Sequence, residues 1–186
     1  VPPRDAAPGS AAADDAARGS LARAAALALA IAAAIVWADQ WTKHVVQQHL
    51  TFGDVIAVTP FLDLVLVYNP GAAFSFLAAA SGWQREFFIV IALIAVGVIS
   101  WMIVRHHTKR LFVVALALLL GGAIGNLIDR VVLTAVVDFL HFHAGRWYWP
   151  AFNVADSAIT IGALLLVADS FRSARPAAHV SPTGEP

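Results

Sequence analysis

Four apolar stretches, at about residues 21–38, 87–104, 111–128 and 151–168, constrain this chain more than any other feature. Each is near the lower length limit for an α-helix that crosses ~30 Å of hydrocarbon at about 1.5 Å per residue. The whole chain agrees: of its 186 residues 60% are hydrophobic and 13% charged, against ~25% charged in a typical soluble domain. The expectation is an all-α membrane protein of four transmembrane helices. Net charge is zero, and no basic stripe interleaves with aromatics, which argues against nucleic acid as a partner. The absence of cysteine removes disulfides, thiolate metal sites and thiol nucleophiles together.

The ends differ from the middle. Residues 1–20 are rich in Ala, Pro, Gly and Asp without a period, and predict a disordered cytoplasmic tail; residues 172–186 read the same way. That leaves 21–171 as a single transmembrane domain. Arg18 and Arg23 ahead of an Ala-rich stretch also suit a cleaved secretory signal, but Trp37 and Trp41 look like an interfacial anchor, so the first stretch is kept as a span. With four spans, Lys and Arg number eight on the side of the two termini and four on the other. The excess predicts both termini in the cytoplasm and the loops 42–86 and 129–152 facing out.

Both outer loops carry strand signals. The stretch "VIAVTPFLDLVLVYNPG" has β-branched and aromatic runs broken by Pro60 and closed by the turn Asn69-Pro70-Gly71, which predicts two short strands. In "HFHAGRWYWP" the pair Ala144-Gly145 suits a hairpin turn, and Trp147, Tyr148 and Trp149 suit the headgroup level. A small extracytoplasmic β-sheet resting on the outer leaflet is expected.

On this topology the acids gather at one depth. Asp39 ends the first span, Asp129 ends the third, Asp138 lies before the fourth and Asp156 opens it. Asn153 and Asp156 are three residues apart on one helical face, as are Asn126, Asp129 and Arg130 at offsets of three and four. Each group has an ordinary reading. Asp39 and Lys43 suit an i,i+4 pair at an interfacial helix end. Asn69-Pro70-Gly71 suits a turn, and Gly121, Gly122 and Gly125 suit close helix packing. Arg130 beside Asp129 suits a surface salt bridge. His141 and His143 alternate on one strand face, but two ligands without a third argue against a metal site. Asp156 resists such a reading, because an acid within a span costs roughly 2.5–3.5 kcal/mol at a helix centre and marks function by default. Asp138, a lone carboxylate in the apolar run "AVVDFLHF", is similar. Two carboxylates near one level of a low-dielectric site share a proton, one acting as acid and the other as base toward water. Competing recipes are missing: there is no H-E-x-x-H helix and no G-x-S-x-G elbow.

Five blocks in order now carry a resemblance: "DQWTK" at 39–43, "NPGAAF" at 69–74, "GGAIGNLIDR" at 121–130, "VVDF" at 136–139 and "FNVAD" at 152–156. Together they resemble the bacterial lipoprotein signal peptidases, or signal peptidase II. The resemblance implies an intramembrane aspartic endopeptidase, free of metal and cofactor, with Asp138 and Asp156 as its catalytic dyad. It implies that Asn69, Gly71, Asn126, Arg130 and Asn153 position substrate or dyad, and that Asp39 and Lys43 support the site, where Asp129 also falls. The implied substrate is a diacylglyceryl-modified prolipoprotein, cut just before the lipidated cysteine. Globomycin-type peptides are the implied inhibitors, and the implied setting is the bacterial inner membrane, with a monomer expected among membrane lipids. A lipidated cysteine keeps its acyl tails in the bilayer, so its scissile bond belongs near the headgroups, where the acids lie. The alternative reading of intramembrane acids, a proton-coupled carrier, needs ionisable groups near the midplane; the inner halves of these spans hold almost none.

Overall fold

The computed structural model describes residues 8–71 and 83–173. Its elements run α1 (Pro8–His49), β1 (Val55–Thr59), β2 (Leu62–Asn69), α2 (Gln84–Arg105), α3 (Arg110–Val132), β3 (Val136–Ala144), β4 (Trp147–Tyr148) and α4 (Val154–Ser173). All four helices are long and apolar enough to cross a membrane.

The helices overrun the apolar stretches that announce them. α1 has 42 residues, ~63 Å at 1.5 Å per residue, about twice the hydrocarbon thickness. Residues 8–20, expected from composition to be a disordered tail, are instead its opening turns. The physical reason is alanine: the best helix former fills this segment, so an existing helix propagates through it although nothing there is strongly apolar. At the other end α1 continues through the mostly polar run of 39–49, which shortens the first outer loop from the expected 42–86. α4 likewise includes Arg172 and Ser173, assigned by sequence to the second tail. The rest of that tail, 174–186, and residues 1–7 lie outside the described residues, as do 72–74 of the "NPGAAF" block.

α3 is the most enclosed span and packs against each of the other three helices. Glycine makes this possible. A Cβ on Gly121 would press on Ala32 and Ile35 of α1, and one on Gly122 would press on the Ala155 carbonyl and Ile159 of α4. Backbones at such distances gain dispersion contacts that lipid cannot replace. Toward the opposite end Ala24, Ala28 and Ala32 of α1 close on Ile103, Val113, Leu116, Ala117 and Leu120.

The strands form one antiparallel sheet in the order β1-β2-β3-β4. Its inner face docks on the end of α1, where Val46 and Leu50 meet Leu66, Val137 and Phe139. The β2–β3 register opposes Val67 to Asp138 and Asn69 to Val136, and Leu140 bridges Phe152 just before α4. Gly145, at φ +61°, turns the β3–β4 hairpin as the Ala144-Gly145 pair predicts. The architecture is thus four membrane helices with a small sheet seated over one end.

Candidate active site

Asp138 stands on β3 and Asp156 in the first turn of α4, and a chain of carboxamides joins them. Asn153 precedes α4 as its N-cap, its Oδ1 accepting the Asp156 N–H at 2.9 Å. The same carboxamide donates from Nδ2 to Asp138 Oδ1 at 2.7 Å, to Asn126 Oδ1 at 3.2 Å and to the Val137 carbonyl at 3.2 Å. Asn126 in turn donates from Nδ2 to Asp156 Oδ1 at 2.7 Å. Each asparagine therefore touches one acid and the other asparagine. From the far side Asn69 Nδ2 donates to Asp138 Oδ2 at 2.9 Å. Its Oδ1 accepts the Gly71 N–H at 2.9 Å, an Asx turn. Gly71 has φ +114°, and a Cβ there would collide with the ring of Phe88, so glycine is required twice over.

Burial pushes the Asp138 carboxyl up to about 7 from its usual 3.8, with the like charge of Asp156 adding to the rise. Hydrogen bonds from Asn69 and Asn153 and the charge of Lys43 work against it. A group so placed keeps its proton well above the usual carboxylate range.

Beside this pair lies a second ionic layer. Lys43 Nζ sits 2.7 Å from Asp39 Oδ2 and 2.7 Å from Asp129 Oδ2, and 3.2 Å from Asn126 Oδ1. Lys43, Asp39 and Asp129 are all 2% exposed or less. The Asp39–Lys43 pair is thus formed, but it is buried in the bundle and not at an exposed helix end. Each acid also grips a backbone amide: Asp39 Oδ1 accepts from Ala155 N at 2.9 Å, and Asp129 Oδ2 from Val137 N at 3.0 Å. Those amides stand one residue before Asp156 and Asp138, so the layer fixes the backbone from which both members of the pair project. Gln40 completes it, donating from Nε2 to Asp129 Oδ1 at 2.8 Å and to the Gly125 carbonyl at 3.2 Å. The sequence marks Gln40 only by its place inside "DQWTK".

Arg130 does not pair with Asp129, whose oxygens are taken by Lys43, Gln40 and Val137. Its guanidinium lies 5.0 Å over the Phe88 ring, with Nη1 donating to the Asn126 carbonyl at 3.2 Å. Its buried Nε has no hydrogen-bond partner among the described residues. Arg85, not singled out from sequence, donates to the carbonyls of Arg130 and Val131, both at 2.9 Å, and so closes the C-terminus of α3. His141 and His143 share a face with Asp63, at 3.9 and 3.3 Å. Among the described residues no group of three or more such side chains is arranged to hold a metal.

Residues 31–172 match the family model described as "Signal peptidase (SPase) II". The chain is 53% identical over 149 residues to the lipoprotein signal peptidase of Paraburkholderia phymatum, covering 80% of this chain and 90% of that protein. It is 52% identical over 147 residues to that of Cupriavidus taiwanensis, covering 79% and 84%. Among solved structures, a bacterial membrane enzyme determined by the in meso method superposes with a TM-score of 0.72 at 33% identity, covering 79% of this chain and 94% of that one.

Proposed function

The chain belongs to the signal peptidase II family, a multi-pass membrane peptidase that processes the signal peptides of prolipoproteins, and from that premise we propose that it works as an aspartic endopeptidase with Asp138 and Asp156 as the catalytic pair. The observation that carries this is the bridge Asp138–Asn153–Asn126–Asp156, which holds two carboxylates at one level in a water-poor site at the end of the membrane spans.

In the proposed reaction the pair holds one proton between its members. The ionised carboxylate takes a proton from water as the water oxygen adds to the scissile carbonyl carbon. The protonated one gives its proton to the carbonyl oxygen. As the tetrahedral diol collapses, one of its hydroxyls returns a proton to the ionised carboxylate and re-forms the carbonyl, the C–N bond breaks, and the leaving nitrogen takes the proton of the other carboxyl, so that one shared proton remains on the pair. The partnerless Nε of Arg130 suits a backbone carbonyl of the substrate, since a buried donor left unpaired costs about 1–3 kcal/mol until an acceptor arrives. Asn69 and Gly71 set the rim on the sheet side. Asp39, Lys43, Asp129 and Gln40 serve the backbone of the pair.

The substrate reading follows from depth. From Arg110 to Asp129 α3 rises ~29 Å, about one hydrocarbon thickness, so the acids lie at a headgroup level. A diacylglyceryl-modified cysteine with its tails in the bilayer brings its preceding peptide bond to that level. The excess of Lys and Arg at the other end favours both termini in the cytoplasm and the pair near the outer face, and the family likeness supports a bacterial inner membrane as the setting. Membership of the family supports globomycin-type peptides as inhibitors of the same site.

The test is cleavage of a purified prolipoprotein, with and without its diacylglyceryl group, by the wild type and by Asp138→Asn and Asp156→Asn. Each variant is expected to insert normally and to lose at least a hundredfold in rate, the scale of general acid–base assistance. Full processing by either would reject the assignment. Equal cutting of the unlipidated precursor would reject the substrate reading alone.

A further inference from the structure

At the end of the bundle far from the acids, a crevice of about 540 Å³ opens between α1 and the turn joining α2 to α3. Ser20, Arg23, His107, Thr108 and Arg110 form its polar rim, and Ala24, Leu27 and Val113 its apolar wall. Its size falls within the usual range of small-molecule sites, roughly 300–1,000 Å³. No carboxylate lines it. Among the described residues neither Arg23 nor Arg110 forms an ion pair; Arg23 Nε is held by the Gly19 carbonyl at 3.1 Å. The proposed peptidase reaction uses none of these residues.

We propose that this crevice binds the phosphate-bearing headgroup of an anionic phospholipid from the leaflet opposite the catalytic pair, with the start of an acyl chain along Ala24, Leu27 and Val113. Three features of the site select that ligand over others. The rim is cationic and rich in hydrogen-bond donors, complementary to a phosphodiester. Behind the rim the wall formed by Ala24, Leu27 and Val113 is apolar, so a ligand with a hydrocarbon tail gains what a free ion does not. The depth is right, because Arg110 begins the membrane-crossing part of α3. The first turn of α3 adds to the field: it carries no acidic residue, and Lys109 at its N-cap makes no side-chain cap.

A lipid seated here would clamp α1 around Ser20–Leu27 to the α2–α3 turn, a junction to which α1 otherwise brings the small side chains of Ala24 and Ala28 against Ile103 and Val113. The test is lipid retention by native mass spectrometry after extraction of the full chain from nanodiscs of phosphatidylglycerol mixed equally with phosphatidylcholine. Wild type is expected to retain phosphatidylglycerol selectively. The double variant Arg23→Gln/Arg110→Gln is expected to lose that selectivity roughly 25-fold, at about fivefold per surface cation removed. Arg172→Gln, a cation near the same end but outside the crevice, is expected to leave it unchanged. Both crevice arginines are exposed, so the fold does not depend on them. Equal retention of the two lipids, or equal loss in the Arg172 variant, would overturn the proposal. So would thermal stabilisation by millimolar inorganic phosphate matching that by phosphatidylglycerol, because it would show a soluble-anion site. The readout does not depend on cleavage, so it stands or falls apart from the peptidase reading.

Discussion

The side chains of the site divide into those that hold a proton and those that hold the holders, and the two groups respond differently to pH and to substitution. Asp138 has its proton affinity raised to about 7 mainly by burial. A carboxyl whose folded value lies above its unfolded 3.8 contributes stability in full below that lower value and loses it as pH rises through about 7. Thermal stability in detergent is therefore expected to fall between about pH 4 and 7 in the wild type, and to fall less in Asp138→Asn; parallel curves for the two would contradict the assignment. Peptidase activity should show its alkaline limb at the upper end of that window, around pH 7, since a doubly ionised pair has no proton to give. Lys43 belongs to the second group. Replacing it by Met leaves Asp39 and Asp129 buried without a cation, and breaking a buried pair in this way costs about 3–5 kcal/mol. Denaturant unfolding is expected to register that loss, and Lys43→Met/Asp129→Asn to recover part of it. The sequence marks Asp138 and Asp156 because carboxylates stand out in apolar runs. It does not reveal that Asp39 and Asp129 bind the amides of Ala155 and Val137, because a backbone donor carries no residue identity.

Among the elements, the spans were legible because an apolar run of 18 residues has few other uses, while their ends were not. Helix propagation through the alanines of 8–20 and through the polar residues 40–49 depends on the backbone already being helical, which no hydropathy pattern encodes. The strands β1 and β2 were legible from Pro60 and Asn69-Pro70-Gly71. The start of β3 at Val136 was less so, because "VVDFLHF" lacks the turn residues that would mark it off from a helix. The glycines of α3 read simply as small residues, and the structure gives each a partner. Gly122→Ala drives a methyl to within 2.5 Å of the Ala155 carbonyl, and since backbone cannot swing aside, α3 and α4 must separate at a cost of about 1–3 kcal/mol. The start of α4 then moves, carrying Asp156 with it, so both melting temperature and turnover are expected to drop. Gly97→Ala on α2, where nothing lies within 4 Å of the new methyl, is the matched control and should leave both unchanged.

For the whole molecule, the depth of the site is the quantity on which substrate choice turns, and the tryptophans report it. Trp37, Trp41, Trp83, Trp147 and Trp149 belong to the end that carries the acids, and Trp101 to the other, within a turn and a half of Arg105, whose guanidinium lies 5.7 Å over its ring. Trp83, just ahead of α2, and Trp101, near its end, are eighteen residues apart, ~27 Å of helix rise, close to one hydrocarbon thickness, so a bilayer centred between them would have no indole near its midplane. All six tryptophans are about half exposed or more, as belts at headgroup depth require. In liposomes of lipids brominated at different chain depths, fluorescence quenching is expected to be strongest for the shallowest label and to decline steadily toward the chain ends. Trp101→Phe should leave that order unchanged and lower the total signal. A maximum at the deepest label would place the indoles, and with them Asp138 and Asp156, inside the hydrocarbon. Water and a lipid-anchored peptide bond would then need a channel to meet, and cleavage at the membrane surface would lose its geometric basis.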